Sequence, residues 1–308
     1  MPASPVPPAQ AGNAMITQRH VHVKKVWGIP QFWLVWMVLT MNVSAGIGVI
    51  GMASPMLQEV FGGNLIGVAK KFGELDKTQL AAIAAVAGGF AALLSLFNIG
   101  GRFFWASLSD KLGRKLTYTL FFVLGGLLYW SIPSSAGAGS KLLFVGAVCV
   151  ILSMYGGGFS TVPAYLSDLF GTQMVGAIHG RLLTAWSTAG ILGPVVVNYM
   201  RDYQLSLGIP REQVYNQTMY ILVGFLVVGL VLNLMIRPVN QKYFMTETEL
   251  AEEKRLAHER AAANAVTGAG IVSAPSSTAT VALAWLAVGI PLAWGVWQTL
   301  ISAAKLFN

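Results

Sequence analysis

The residues best suited to chemistry sit close together in "SLFNIGGRFFWASLSDKLGRK", residues 95–115. Arg102 places a guanidinium inside an apolar run, and its planar fork suits a carboxylate. Two fates are open to it: reaching the headgroup region along the helix, or projecting into a cavity to hold an anion. It precedes Asp110 by eight residues, which is ~12 Å along a helix. Asn98, one turn deeper, offers an uncharged hydrogen-bonding group to the same ligand or a contact between helices. Asp110, Lys111, Gly113, Arg114 and Lys115 then crowd into a short turn. Gly113 permits a backbone conformation that a side chain would hinder. Asp110 is placed to face the positive start of the apolar run beginning near residue 175. Arg114 needs a carboxylate, and Asp168 in "PAYLSDLFG" is the candidate. The chemistry these residues offer is anion holding and ion pairing between helices.

The elements that position them are membrane spans. Of 308 residues, 55% are hydrophobic and only 10% charged, where a soluble domain carries about 25% charge. Apolar runs cover about 32–60, 80–107, 116–132, 142–166, 175–200, 215–236 and 281–300, each near or above the ~20 residues a spanning helix needs. Arg19, Lys24, Lys25, Lys111, Arg114, Lys115, Arg237, Lys242, Lys254, Arg255 and Arg260 fall on one side. Lys70, Lys71, Lys77, Lys141, Arg201 and Arg211 fall on the other, offset by Glu74, Asp76, Asp202 and Glu212. The bias puts the first side, with the N-terminus, in the cytoplasm and the chain in the inner membrane. The net charge of +8 is spread in short clusters between apolar runs, which argues for orientation in a bilayer rather than nucleic-acid binding.

Residues 1–14 are Pro- and Ala-rich and uncharged, and with the basic flank to residue 26 they read as a disordered tail. A bundle is expected over 27–240, a charged helix and linker over 241–278, and an extra span over 279–308. Enzymatic readings fare poorly. The four histidines show no metal-ligand spacing within a span, and the Gly-rich stretches lack the lysine of a phosphate-binding loop. Cys149 is the single cysteine and is expected to pack in an apolar run. No cofactor is called for. Tyr155, beside the triple glycine at 156–158, is a candidate cavity wall or a packing residue.

The run D-K-x-G-R-K at 110–115, with Ala106 four positions earlier, resembles the cytoplasmic loop signature of the major facilitator superfamily. Around it, "FWLVWMVLTMNVSAGIGVIGMASPMLQEVFG", "LLSLFNIGGRFFWASLSDKLGRK" and "YGGGFSTVPAYLSDLFG" resemble the C-terminal half of the oxalate/formate antiporter family within that superfamily. The likeness runs from about Trp27 to Arg237. It implies an all-α transmembrane fold: one six-helix bundle of two inverted three-helix repeats, plus one extra C-terminal helix.

The resemblance also implies roles. Arg102 matches an arginine that binds the transported carboxylate, with Asn98 beside it. A family lysine in the fifth span aligns, through Thr184-Ala185, with Trp186. Arg181 is then the expected replacement cation, with Trp186 and Tyr155 as walls. This departure moves the expected substrate from oxalate toward a monocarboxylate or another small organic anion. Asp110, Lys111, Gly113, Arg114, Lys115 and Asp168 form the expected cytoplasmic gate. The expected function is a half-unit of a secondary transporter working by alternating access. Its expected partners are the bilayer, the anion, and an N-terminal half-transporter or a second copy. The alternative is a truncated or non-transporting membrane interaction subunit.

Overall fold

The computed structural model describes residues 15–268 and 277–304. Nine helices are described: α1 (Pro30–Phe61), α2 (Lys77–Leu112), α3 (Arg114–Gly137), α4 (Lys141–Phe170), α5 (Val175–Leu182), α6 (Thr184–Ser206), α7 (Asn216–Met235), α8 (Glu247–Gly268) and α9 (Thr278–Ala304). With α5 and α6 taken as one stretch, seven are long and apolar enough to cross a membrane, as the composition led us to expect. Local chemistry sets their ends. Pro30 opens α1, where its missing N–H costs nothing. Asp76 caps α2 by accepting from the Gln79 amide at 2.9 Å, while the Gln79 side chain accepts from the Asp76 amide at 3.1 Å. Gly113, at φ +85°, is the single residue between α2 and α3. A side chain there would force the strained left-handed region, so a turn this tight requires glycine.

The fifth apolar run is not one continuous helix. It breaks at Leu183 between α5 and α6, so Arg181 and Trp186 stand on different segments.

The packing has internal symmetry. α1 lies against α6 as α4 lies against α2, and α1 meets α7 as α4 meets α3. Exchanging α1, α2 and α3 for α4, α5–α6 and α7 maps one set of contacts onto the other, as two inverted repeats require. α1 and α4 are central and the most buried; α2 and α5–α6 leave much of their length uncovered. α9 lies against α2 with all but one of its described side chains exposed, Thr299 being intermediate. Close approach of α2 and α4 depends on glycine: a Cβ on Gly101 would strike the Ser153 backbone, and one on Gly156 would strike the Asn98 carbonyl.

The N-terminal region corrects one expectation. Residues 1–14 lie outside the described residues, but 15–26 are not a loose tail. Thr17 and Val21 donate backbone hydrogen bonds to the Asp168 and Phe170 carbonyls at 2.9 Å, and the Met245 amide donates to His20 at 2.8 Å. Val21 and Val26 are fully buried. Apolar side chains at 21 and 26, spaced between the basic ones, anchor a strap across the ends of α4, α5 and α8. The strap also meets α8 through Lys25–Glu249 at 3.1 Å and His22–Glu253 at 3.2 Å. α8 is therefore docked on one side rather than solvated all round. Most of the expected linker after it, 269–276, lies outside the described residues.

Candidate functional site

α2 presents a polar stripe on its uncovered side. Ser95, Asn98 and Arg102 are spaced by three and four residues and so share one face. Arg102 is exposed and Asn98 half-buried. The helix is fixed at this point, because Ser160 of α4 donates to the Arg102 carbonyl at 3.0 Å and Trp105 donates to Ser153 at 3.2 Å. Among the described residues the Arg102 guanidinium has no protein hydrogen bond or ion pair.

A chain of three aromatic rings reaches it through Tyr155. Phe159 packs edge-on to Tyr155 at 5.2 Å and to Trp186 at 5.8 Å. The Tyr155 hydroxyl has both the Trp186 indole and the Arg102 charge as electrostatic neighbours. Tyr155 is seated on Gly46 of α1, where any Cβ would overlap its ring. The structure thus brings together Arg102, Tyr155 and Trp186, adds Phe159, and keeps Asn98 on the same face of α2. Such a set can hold one carboxylate on the guanidinium fork between aromatic walls.

Arg181 is not in this group. It donates to the Val23 carbonyl of the strap and lies 5.5 Å over the Trp27 ring. Five residues turn a helix by ~500°, so Arg181 and Trp186 face different ways, and the geometry assigns Arg181 to anchoring residues 23–27. The expected replacement of the lost lysine is not made in this conformation.

At the end of the bundle that carries the strap, hereafter the basic face, Arg114 lies between two carboxylates. Its Nη2 meets Asp110 Oδ1 at 2.5 Å and its Nε lies 3.7 Å from Asp168 Oδ2. A third contact runs to Ser109 Oγ. The side chain is only 11% exposed, so the arginine is a wedge joining the α2–α3 turn to α4. Lys115 does something else: its Nζ donates to the Leu234 and Ile236 carbonyls at 2.9 and 2.7 Å, capping the C-terminal end of α7. Lys111 is exposed.

The opposite, far face holds a cluster that the sequence reading missed. Glu59 of α1 is 5% exposed and accepts from Arg201, from Arg211 at 3.1 Å and from the Tyr215 hydroxyl at 2.7 Å. Arg211 also lies 5.9 Å over Phe72, and Lys71 pairs with Glu212 at 3.4 Å. The loop after α1 is thereby clasped to the loop after α6. One signal was available: Glu59 is the only acid in an otherwise apolar run of α1. Its partners lie 142 to 156 residues away, which spacing does not reveal.

Residues 2–194 match the Major Facilitator Superfamily as a family. The chain is 25% identical to the oxalate:formate antiporter of Oxalobacter formigenes over 189 residues, 60% of this chain and 40% of that protein. It is 28% identical to an uncharacterized MFS-type transporter, YdeG, of Bacillus subtilis over 59% of this chain and 42% of that protein. It is 36% identical to the glucose transporter GlcP of Staphylococcus epidermidis over 30% of this chain and 20% of that protein. The chain thus spans about two fifths of the length of the first two relatives. A matched family segment covering most of the chain, over seven apolar helices with internal repeat symmetry, makes this a multi-pass membrane protein that belongs to the Major Facilitator Superfamily.

Proposed function

We propose that the chain forms half of a secondary transporter that moves small organic anions by alternating access. The observation that carries this is Arg102. It stands on a polar stripe in a spanning helix, free of protein hydrogen bonds and ion pairs among the described residues, and the aromatic chain of Trp186, Phe159 and Tyr155 reaches it through Tyr155. A charge at membrane depth is costly unless it lines a cavity or meets a counter-charge, and a visiting carboxylate supplies one.

In this reading Asn98 assists Arg102, and Trp186 and Tyr155 form walls. A second six-helix bundle covers the uncovered side of α2 and α5–α6 and closes the site. It is supplied by an N-terminal half-transporter or by a second copy. The basic face is cytoplasmic, the membrane is the inner membrane, and Arg114 with Asp110 and Asp168 is the gate at that face. The relationship to the oxalate:formate antiporter supports a carboxylate, and Trp186 in place of a second cation favours one charge over two.

The test is counterflow of labelled formate, oxalate and lactate in membrane vesicles containing the full chain and its completing bundle. Arg102→Lys is expected to lower kcat/KM about tenfold or more, because a point charge does not reproduce the bidentate fork. Unchanged transport by that variant removes Arg102 from the site.

A further inference from the structure

The polar stripe continues past Arg102 into a groove of about 350 Å³ between α1 and α2, lined by Ile50, Ser54, Ser95, Asn98, Ile99 and Leu152 among others. Asn98 and Ser95 lie four and seven residues from Arg102 on the same helix face, about 6 and 10 Å along the axis. The groove contains no charged side chain. What it offers is oxygen and amide groups with defined roles. Ser95 Oγ donates its proton to the Ala91 carbonyl at 3.1 Å, leaving only lone pairs outward. Ser54 Oγ, across the groove on α1, accepts from Gln58 Nε2 at 3.3 Å.

We infer that this groove is an uncharged subsite for the hydroxylated end of the anion, so that the substrate class is a hydroxy monocarboxylate. The inference rests on the transport reading and sharpens it. The carboxylate sits on Arg102; its hydroxyl groups run along Asn98 toward Ser95 and Ser54. A hydroxyl suits the groove better than a keto oxygen because it can donate to Ser95 Oγ and also accept from the Ser54 hydroxyl or the Asn98 amide, whereas a keto oxygen can only accept. A dicarboxylate fits poorly, since its second charge would meet Ile50, Ile99 and Leu152 with no cation lining the groove.

The experiment is competition against labelled formate counterflow in vesicles containing the full chain and its completing bundle. Unlabelled glycerate, lactate, pyruvate and propionate are the competitors. Glycerate and lactate are expected to compete about tenfold more strongly than propionate, each hydroxyl bond gained being of the order that gives such a factor, with pyruvate, which can only accept, between them. In Ser54→Ala/Ser95→Ala the advantage of glycerate collapses toward one while propionate competes as before. Equal competition by glycerate and propionate in the unaltered protein overturns the subsite and leaves the transport reading standing. So does a double variant that weakens all four competitors alike. Absence of any formate counterflow in the unaltered protein overturns the transport reading, and this inference with it.

Discussion

At the basic face Arg114 is shared between Asp110 and Asp168, and Asp110 is 56% exposed. At the far face Glu59 is 5% exposed and receives two arginines and a tyrosine. The two ends thus close by opposite means. The first is a cation held between carboxylates with water at its edge, assembled largely from one short turn and topped by a strap. The second is a carboxylate held under cations and built from three distant segments. The Arg114–Asp110 half of the first cluster reaches water and is the cheaper to break, whereas removing the buried Glu59 takes away the carboxylate that both arginines share. On the proposed transport reading, the basic face is the end expected to rearrange and the far face the end expected to stay closed.

Removing the buried partner is the strongest test of this difference. Glu59→Ala is expected to cost about 3 kcal/mol and a clear drop in Tm, because it leaves the mostly buried Arg201 with only Tyr215 and the exposed Asp202 as partners. Thermal unfolding in detergent or nanodiscs checks it. Arg114→Gln should cost less, about 2 kcal/mol, since Asp110 regains water while Asp168 keeps part of its hydration; a loss equal to that of Glu59→Ala would erase the distinction between the two ends.

Acid should loosen the strap. Burial, helped by the Lys254 charge, lowers the His20 pKa, and the Thr246 amide and Lys25 lower that of Glu249. A lowered histidine pKa leaves the docked strap unpenalised above about 6.5 and weakens docking as pH falls through the folded value. The Glu249 contribution is present above about 4.5 and is likewise lost on further acidification. Hydrogen exchange at the Val21 and Met245 amides, corrected for intrinsic rates, should therefore accelerate below pH 6.5, and His20→Gln should remove that first step. The smallest effect belongs to Lys25→Ala: its pair with Glu249 is exposed on both sides, and no measurable change in Tm is expected.

How much of this was legible beforehand differs residue by residue. Arg102 stands out because a cation in an apolar run is rare, and Gly113 because a one-residue turn between long helices needs its φ. The pairing of Arg114 with Asp168 was inferable from charge and position. Arg181 was not: its partner is a backbone carbonyl, which carries no side-chain signature. The strap was misread because basic and proline-rich composition suggests disorder, while its docking depends on two apolar side chains finding buried sites.

Sequence by itself determined that the chain carries seven apolar runs long enough to span a membrane and roughly where each lies, because hydropathy, caps and turn residues act over one or a few helical turns. Only the tertiary structure decided which charges meet. Glu59 and Arg201 are 142 residues apart, and nothing local to either residue specifies the other. That choice is made when the inverted repeats pack and bring α1 against α6.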